Sequence, residues 1–296
     1  MAKIISIIND KGGVSKTTTV MNLGTALWLL GKKVLLVDND PQSNLTLTLD
    51  KTAMQTTCNL YTWMLDRKSE VPVYTRYDGF DYIPGSRELG QLEEEIKGKA
   101  GSDRYLDLLL KAISRAYDYI LIDCAPGGKT LVNMNALEAS DEVIIPVRTD
   151  LYSVAGRGIL MDKIDEIREL QMLSGKPDSE LLRVAGVLLT QFDKRTEMAR
   201  NVKEYFKTKA KEDPAMPLFP MEVRKCEAVN KAPGSQMSIY EHDANSTAAD
   251  DYMRLAEYLA AGCRQVTRKI TWDPTKWSTK AMSAYNKFIE NQQKEA

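Results

Sequence analysis

The sequence is poor in the residues from which metal and disulfide sites are built. Its 296 residues include one histidine, His242, and four cysteines, at positions 58, 124, 226 and 263. No two cysteines form a Cys-x-x-Cys pair, so the sequence favours neither a zinc site nor an iron–sulfur cluster nor a disulfide framework. It also lacks a secretory pattern and a run of about 20 apolar residues. We therefore expect a protein of the reducing cytoplasm without a membrane span.

An excess of charge of either sign is missing as well. There are 40 Lys and Arg against 41 Asp and Glu, which leaves a net charge of -1. This balance excludes a permanently basic coat for nucleic acid, but it allows a local basic face. Residues 263–296 contain seven Lys and Arg against three Asp and Glu, unlike the rest of the chain. We expect a main domain, residues 1–262, and a basic, helical, docked extension, residues 263–296.

The apolar residues that the chain does contain, 43% of the total, are enough for a well-filled core. Short β-branched runs at Ile4–Ile8 and Val34–Val37 predict two buried strands. Between them, the apolar residues of 16–30 recur at helical spacing, and Gly31 is placed to end that helix. A strand–helix–strand unit of this length predicts parallel pairing of the two strands.

Further apolar runs repeat this alternation of strands and helices. They lie at Tyr119–Ile122, Val143–Val147 and Val184–Leu189. The sequence therefore predicts an α/β fold with a doubly wound, mostly parallel sheet and helices on both faces. Residues 51–101 are less regular, so we expect loops there with helices near 59–66 and 87–97. A late helix is expected over 243–259.

Polar segments follow three of the predicted strands at the point where each strand ends. They are Asn9–Thr18, Asp38–Asn44 and Asp123–Gly127. The carboxyl ends of parallel strands share one edge of the sheet, and ligands of doubly wound folds bind there. We therefore expect the three segments to meet in one functional site.

The segment KGGVSKTT, residues 11–18, occupies the first strand-to-helix turn. Backbone N–H groups in such a turn form a site for anions, and glycines allow a close approach to phosphate. Lys16 is placed to reach the β- and γ-phosphates, and the Thr17 hydroxyl to bind Mg²⁺. The expected phosphate-binding residues are Lys11, Gly12, Gly13, Val14, Ser15, Lys16, Thr17 and Thr18. Ser15 departs from the standard pattern, in which glycine precedes the lysine.

Together, these motifs resemble those of the ParA/MinD family of deviant Walker ATPases, and most closely the ParA-type partition ATPases. The matching segments are KGGVSKTT, VDNDPQSN, YILIDCAPG, DEVIIPV, LLTQFDKRTEMAR, FPMEVRKCEA and ADDYMRLAEYLA. They occur in the family's order and spacing over residues 2–262. The resemblance implies a P-loop NTPase that binds ATP or ADP with Mg²⁺ and hydrolyses ATP slowly.

The resemblance also implies a role for each matching residue of the site. Lys11 reaches across a dimer to the neighbouring subunit's ATP and stabilises charge on the transferring phosphate. Thr18 contacts the α-phosphate, and Asp40 positions the attacking water. The implied catalytic residues are therefore Lys11, Lys16 and Asp40.

Metal and adenine contacts follow from the same resemblance. The implied residues around Mg²⁺ are Thr17, Asp38, Asp40 and Asp123, with Asp38 and Asp123 acting through its water shell. Pro220 and Met221 match the positions that contact adenine.

The implied function is a nucleotide-timed switch. ATP drives a sandwich homodimer, which binds DNA without sequence preference through Arg195 and Arg224. A ParB-like or other adaptor protein then stimulates hydrolysis and releases the DNA. In the family this cycle segregates plasmid or chromosomal DNA or positions a cargo, so we expect a nucleoid-associated protein of the cytoplasm.

Two alternatives stay open at this point. One is a MinD-like positioning ATPase on a membrane; residues 281–293 have an apolar face, but their single cation, Lys287, does not favour membrane binding. The other is a nucleotide-binding scaffold with weak catalysis. Its basis is Ser15, because a positive φ at that position costs a non-glycine residue about 1 kcal/mol.

Overall fold

The computed structural model describes residues 1–66, 68–127, 130–150 and 157–262, without the side chains of 157–159. In this part of the chain, seven strands form a single sheet in the order β3-β4-β2-β5-β1-β6-β7. Their bounds are β1 Lys3–Ile7, β2 Val34–Asn39, β3 Tyr74–Tyr77, β4 Phe80–Ile83, β5 Tyr119–Cys124, β6 Glu142–Arg148 and β7 Arg183–Thr190. The extension expected over 263–296, and any helix within it, lies outside the described residues.

All neighbouring strands pair in parallel except β3, which runs antiparallel to β4 at one edge. The doubly wound, mostly parallel α/β fold expected from the sequence is therefore confirmed. The five strands predicted from apolar runs are all present, and each agrees with the structure to within two residues at either end.

Helices cover both faces of the sheet. In chain order they are α1 Lys16–Leu29, α2 Asn44–Leu49, α3 Leu60–Leu65, α4 Leu92–Ile96, α5 Tyr105–Ile113, α6 Leu131–Ala139, α7 Arg157–Leu173, α8 Glu197–Glu212, α9 Glu227–Lys231, α10 Ile239–Asp243 and α11 Thr247–Ala260. Helices α1, α2, α9, α10 and α11 contribute to one apolar core, and α3 to α8 contribute to the other. Because side chains alternate along a strand, Ile4 and Ile8 enter one core while Ile5 and Ile7 enter the other.

Local sequence explains where several helices begin and end. Thr196 and Ser246 accept hydrogen bonds from backbone N–H groups in the first turns of α8 and α11. After α1, Gly31 takes a φ of 83° and its N–H donates to the Trp28 carbonyl oxygen, as its position in the sequence predicted. No helix in the described ranges is long and apolar enough to cross a membrane.

Two expectations from the sequence were wrong in detail. Residues 51–101 contain the strands β3 and β4 in addition to the helices near 59–66 and 87–97. These strands are four residues each, too short to show a clear alternation. The late helix begins at Thr247 rather than at 243, because Ser246 caps it and the preceding residues belong to α10.

Candidate functional site

The loop of residues 11–18 joins β1 to α1 at the carboxyl edge of the sheet. Gly13 and Ser15 have φ values of 71° and 72°, in the left-handed region. This is the conformation that the usual glycine favours at position 15, and adopting it costs a serine about 1 kcal/mol. Position 15 therefore keeps the left-handed backbone although serine takes the place of the usual glycine.

Two side chains at the end of β7 hold this loop in place. The Thr190 hydroxyl donates to the Val14 carbonyl oxygen over 3.1 Å, and Gln191 Nε2 donates to Ser15 Oγ over 3.4 Å. Gln191 itself has a φ of 50°, so both partners of this contact lie in the left-handed region. The partners are 176 residues apart, and no local pattern in the sequence pointed to them.

The Lys16 ammonium lies over the backbone of the same loop. Its Nζ donates to the carbonyl oxygens of Asn9, at 3.2 Å, and Lys11, at 3.0 Å. Burial lowers the pKa of Lys16, and the nearby carboxylates, of which Asp123 acts most strongly, oppose this effect. A partly desolvated ammonium beside the loop N–H groups is suited to binding an anion.

Two acidic residues lie on adjacent strands next to the loop. Asp38 in β2 is directly opposite Asp123 in β5. Both are fully buried. Asp38 Oδ2 accepts hydrogen bonds from the Thr46 backbone N–H at 2.7 Å and from its hydroxyl at 2.5 Å. Burial nevertheless raises the pKa of Asp38 to about 6.

Asp123 has the chemistry of a site for a cation. Neither carboxylate oxygen makes a hydrogen bond of normal geometry with the described residues. Burial, followed by the charge of Asp38, raises its pKa well above the usual value, and the Thr17 hydroxyl only partly opposes this. Unpartnered buried carboxylate oxygens beside a threonine hydroxyl fit the oxygen ligands that Mg²⁺ prefers, directly or through water.

Asp40 follows β2 and is also buried. Its Oδ1 accepts a hydrogen bond from the Gln42 N–H at 2.8 Å, which fixes the direction of the carboxylate. Burial raises the pKa of Asp40, while the Gln42 hydrogen bond and the charge of Lys16 oppose the shift. Asp40 thus belongs to the same group of side chains as Lys16, Asp38 and Asp123.

Lys11 contacts the end of β6 within its own chain. Its Nζ lies 3.3 Å from Asp150 Oδ1, and about a third of each side chain is exposed. Arg148 also lies near Asp150, with Nε 3.7 Å from Oδ2. The reach of Lys11 into a neighbouring subunit remains a prediction, because the structure describes one chain.

The other predicted nucleotide contacts lie in two parts of the structure. Thr17 and Thr18 line a cavity of about 450 Å³, which α2 and residues 229–237 close on the far side. Exposed Pro220 and buried Met221 lie instead beside β7, in a segment whose Val223 N–H donates to the Leu189 carbonyl oxygen. The contact of Pro220 and Met221 with adenine remains a prediction.

The two arginines expected to contact DNA differ in their surroundings. Arg195 is 83% exposed and pairs with Asp193, two residues away in the same turn. Arg224 is 42% exposed and pairs with both Asp250 and Asp251 of α11. Arg224 therefore pairs with two carboxylates of another helix, one of them buried, whereas Arg195 pairs with one carboxylate of its own turn and stays largely exposed just before α8.

Sequence reasoning missed one charged residue beside the loop. Lys163 in α7 is 1% exposed, and its Nζ lies 2.8 Å from Asp10 Oδ1. A lysine on the side of an amphipathic helix that packs against the protein core is unusual. That pattern was the one signal in the sequence by which Lys163 could have been found.

Comparisons with known proteins agree with this geometry. A family model described as AAA domain matches residues 2–174. The sporulation initiation inhibitor protein Soj of Bacillus subtilis is 35% identical over 267 residues, which cover 88% of this chain and 99% of Soj. The chromosome partitioning protein ParA of Caulobacter vibrioides is 32% identical over 262 residues, which cover 86% of this chain and 92% of ParA.

A solved structure of a synthase has a similar fold. The crystal structure of cobyrinic acid a,c-diamide synthase from Mycobacterium smegmatis, with bound ADP and magnesium, aligns with a TM-score of 0.72 at 25% identity. The alignment covers 93% of this chain and all of that chain.

Proposed function

This chain belongs to the ParA/MinD family of partition ATPases, and on that premise we propose that it is an ATP-dependent switch that dimerises, binds DNA and is reset by hydrolysis. The observation that carries the proposal is the meeting of the loop at 11–18 with Asp38, Asp40 and Asp123 at one edge of the sheet. A phosphate-binding loop and three buried carboxylates in one place have the chemistry of a magnesium-dependent nucleotide site.

In this proposal the loop binds the phosphates of ATP. Its backbone N–H groups and the Lys16 ammonium stabilise the negative charge. The Thr17 hydroxyl and the carboxylates of Asp38 and Asp123 would hold Mg²⁺. The bound ion would neutralise further charge at the phosphate oxygens.

Asp40 is the residue that we assign to the attacking water. Hydrolysis forms a bond from the water oxygen to the γ-phosphorus and breaks the bond to ADP. Asp40 accepts a hydrogen bond from that water and orients it. The raised pKa of Asp40 makes its carboxylate a better acceptor for the water's proton, and the Gln42 N–H keeps it in position.

Lys11 is assigned to the partner subunit's ATP. Contact with the partner's ATP requires Lys11 to leave Asp150, and an ion pair whose side chains are about a third exposed contributes only about 0.2–1 kcal/mol. Asp150 keeps Arg148 as a neighbour when Lys11 leaves. The release of Lys11 from Asp150, which lets it reach the partner subunit, therefore costs little free energy.

DNA binding is assigned to the basic region around the start of α8. Arg195 is well exposed there, and α8 carries further cations at Arg200, Lys203 and Lys207. Alignment of two such regions in a dimer doubles the number of phosphate contacts, which strengthens binding without reading sequence. Arg224 is a weaker candidate for direct contact because two carboxylates already pair with it.

A second candidate function rests on Ser15. A serine held at a φ of 72° in the phosphate loop favours a scaffold that binds nucleotide but hydrolyses it poorly. The scaffold and the switch would use the same nucleotide site, and they differ in the rate of phosphate release.

The test combines sedimentation with an assay of phosphate release. The protein is sedimented with DNA, or with liposomes that contain anionic lipid, in the presence of ATP or ADP and Mg²⁺. We expect DNA to retain the protein with ATP and to release it with ADP. Lys16→Ala is the control that should lose both ATP binding and the response. Equal DNA binding with ATP and ADP, or retention by liposomes instead, contradicts the proposal; DNA binding without phosphate release favours the scaffold.

A further inference from the structure

Asp10 places a negative charge at the mouth of a loop that is built to bind anions. It directly precedes Lys11, and its carbonyl oxygen accepts a hydrogen bond from the Gly127 N–H at 2.8 Å. Only 16% of the Asp10 side chain is exposed, so water screens its charge poorly. An unneutralised carboxylate in this position repels phosphate.

A lysine of α7 pairs with this carboxylate. Lys163 Nζ donates to Asp10 Oδ1 over 2.8 Å, and the lysine is 1% exposed. It lies in α7 between Leu160 and Ile167, on the face that packs into the core. Burial of an ammonium among apolar side chains is unfavourable unless a carboxylate compensates it.

The charge of Asp10 acts on the Lys16 ammonium in the loop. It is one of the carboxylates that oppose the lowering of the pKa of Lys16 by burial. Asp10 therefore acts electrostatically on the ammonium that is assigned to the phosphates. Whatever neutralises Asp10 changes the potential that an incoming anion meets.

We propose that Lys163 is a positioning residue for the nucleotide site: its ion pair neutralises Asp10 and holds that carboxylate towards α7, so that the loop keeps a positive potential for phosphate. The inference rests on the proposed binding of ATP at this loop. It concerns a contact over 153 residues of sequence that no local motif contains.

The test compares three variants by calorimetric titration with ATP and Mg²⁺ and by thermal unfolding. Lys163→Met leaves Asp10 unpaired beside the loop, and ATP binding should weaken about tenfold, with a smaller loss for ADP. Asp10→Asn leaves the lysine unpaired instead, so it should lower the melting temperature without weakening ATP binding. The double variant should recover ATP binding to within about threefold of the wild type, because neither charge remains.

A purely structural ion pair predicts a different pattern, in which both single variants lose stability and neither loses affinity once folded. Lys3→Met is the matched control: it removes an ion pair with the buried Glu142 at the opposite end of β1 and should leave ATP binding unchanged. Should Lys163→Met fail to fold, Lys163→Gln tests the same loss of charge with a polar side chain.

Wild-type affinity in folded Lys163→Met or Lys163→Gln overturns the inference while leaving the proposed function intact. Failure of the double variant to recover affinity overturns it too. A wild-type protein that binds no ATP rejects the proposed function and the inference together.

Discussion

Asp38 and Asp123 lie directly opposite each other on the paired strands β2 and β5, both fully buried at the carboxyl edge of the sheet. Burial raises the pKa of both carboxyl groups, and the charge of Asp38 raises the pKa of Asp123 further, so simultaneous ionisation of the two is unfavourable. The pair therefore destabilises the fold at neutral pH in the absence of a cation.

This arrangement predicts a dependence of stability on pH in the presence of a chelator. The folded protein raises the pKa of Asp38 to about 6, so it binds more protons than the unfolded chain between about pH 4 and 6. The stability contributed by this proton is complete at low pH and is lost as the pH rises through about 6. The free energy of unfolding, measured in urea, should be higher at pH 5 than at pH 7.5. Asp38→Asn should reduce this difference by about 1 kcal/mol. An identical pH dependence in the variant would contradict the assignment.

Gly85 makes the position of Asp38 testable by a steric change. A Cβ at Gly85 would lie 2.8 Å from the Asp38 carbonyl oxygen and 2.9 Å from its Cγ. Gly85→Ala should therefore displace Asp38, cost about 1–3 kcal/mol of unfolding free energy and reduce phosphate release. Gly90→Ala is the control, since its Cβ would meet only Pro41 at 3.9 Å. Equal behaviour of the two variants would show that Asp38 tolerates the shift.

Ser15→Gly tests the strained residue of the phosphate loop. Glycine adopts a φ of 72° without the steric cost of serine, and the contact with Gln191 is lost. We expect the free energy of unfolding to rise by about 1 kcal/mol, because the strain is relieved in the folded state, and ATP turnover to rise. The measurements are urea unfolding and single-turnover phosphate release alongside ATP affinity. If phosphate release and ATP affinity are both unchanged, position 15 does not limit hydrolysis.

Asp40→Ala and Lys11→Ala separate hydrolysis from dimerisation. Loss of the Asp40 carboxylate should slow phosphate release at least about 100-fold, and the ATP-dependent dimer should persist. Loss of Lys11 should prevent that dimer while some ATP binding remains. Light scattering with ATP reports the oligomeric state of each variant. A Lys11→Ala protein that hydrolyses ATP normally would show that Lys11 has no role across the subunits.

Arg195→Ala and Arg224→Ala should act in different ways. Arg195 is exposed and pairs within its own turn, so its loss should leave stability unchanged within about 0.5 kcal/mol and reduce the salt dependence of DNA binding. Loss of Arg224 leaves the buried Asp251 carboxylate without its cationic partner and should lower the free energy of unfolding by about 2–3 kcal/mol. Urea unfolding and DNA binding at several salt concentrations distinguish them. Normal stability in Arg224→Ala would show that the ion pairs with α11 contribute little.

Local patterns were sufficient to predict five of the seven strands and the loop. The apolar runs of β1, β2, β5, β6 and β7 are buried on both faces, so each is recognisable without knowledge of its neighbours. The short strands β3, at the edge of the sheet, and β4 beside it were missed because they are four residues long and only partly apolar. Their pairing depends on the sheet that is already present beside them.

The sequence by itself determined the strands β1, β2, β5, β6 and β7, the loop at 11–18 and the acidic residues at the ends of β2 and β5, because each is encoded within a few neighbouring residues. Only the tertiary structure decided which charges face one another. It set Asp38 against Asp123, Lys163 against Asp10 and Arg224 against Asp251. These pairs join residues that are 27 to 153 positions apart, and burial makes their electrostatics strong only after the chain has packed.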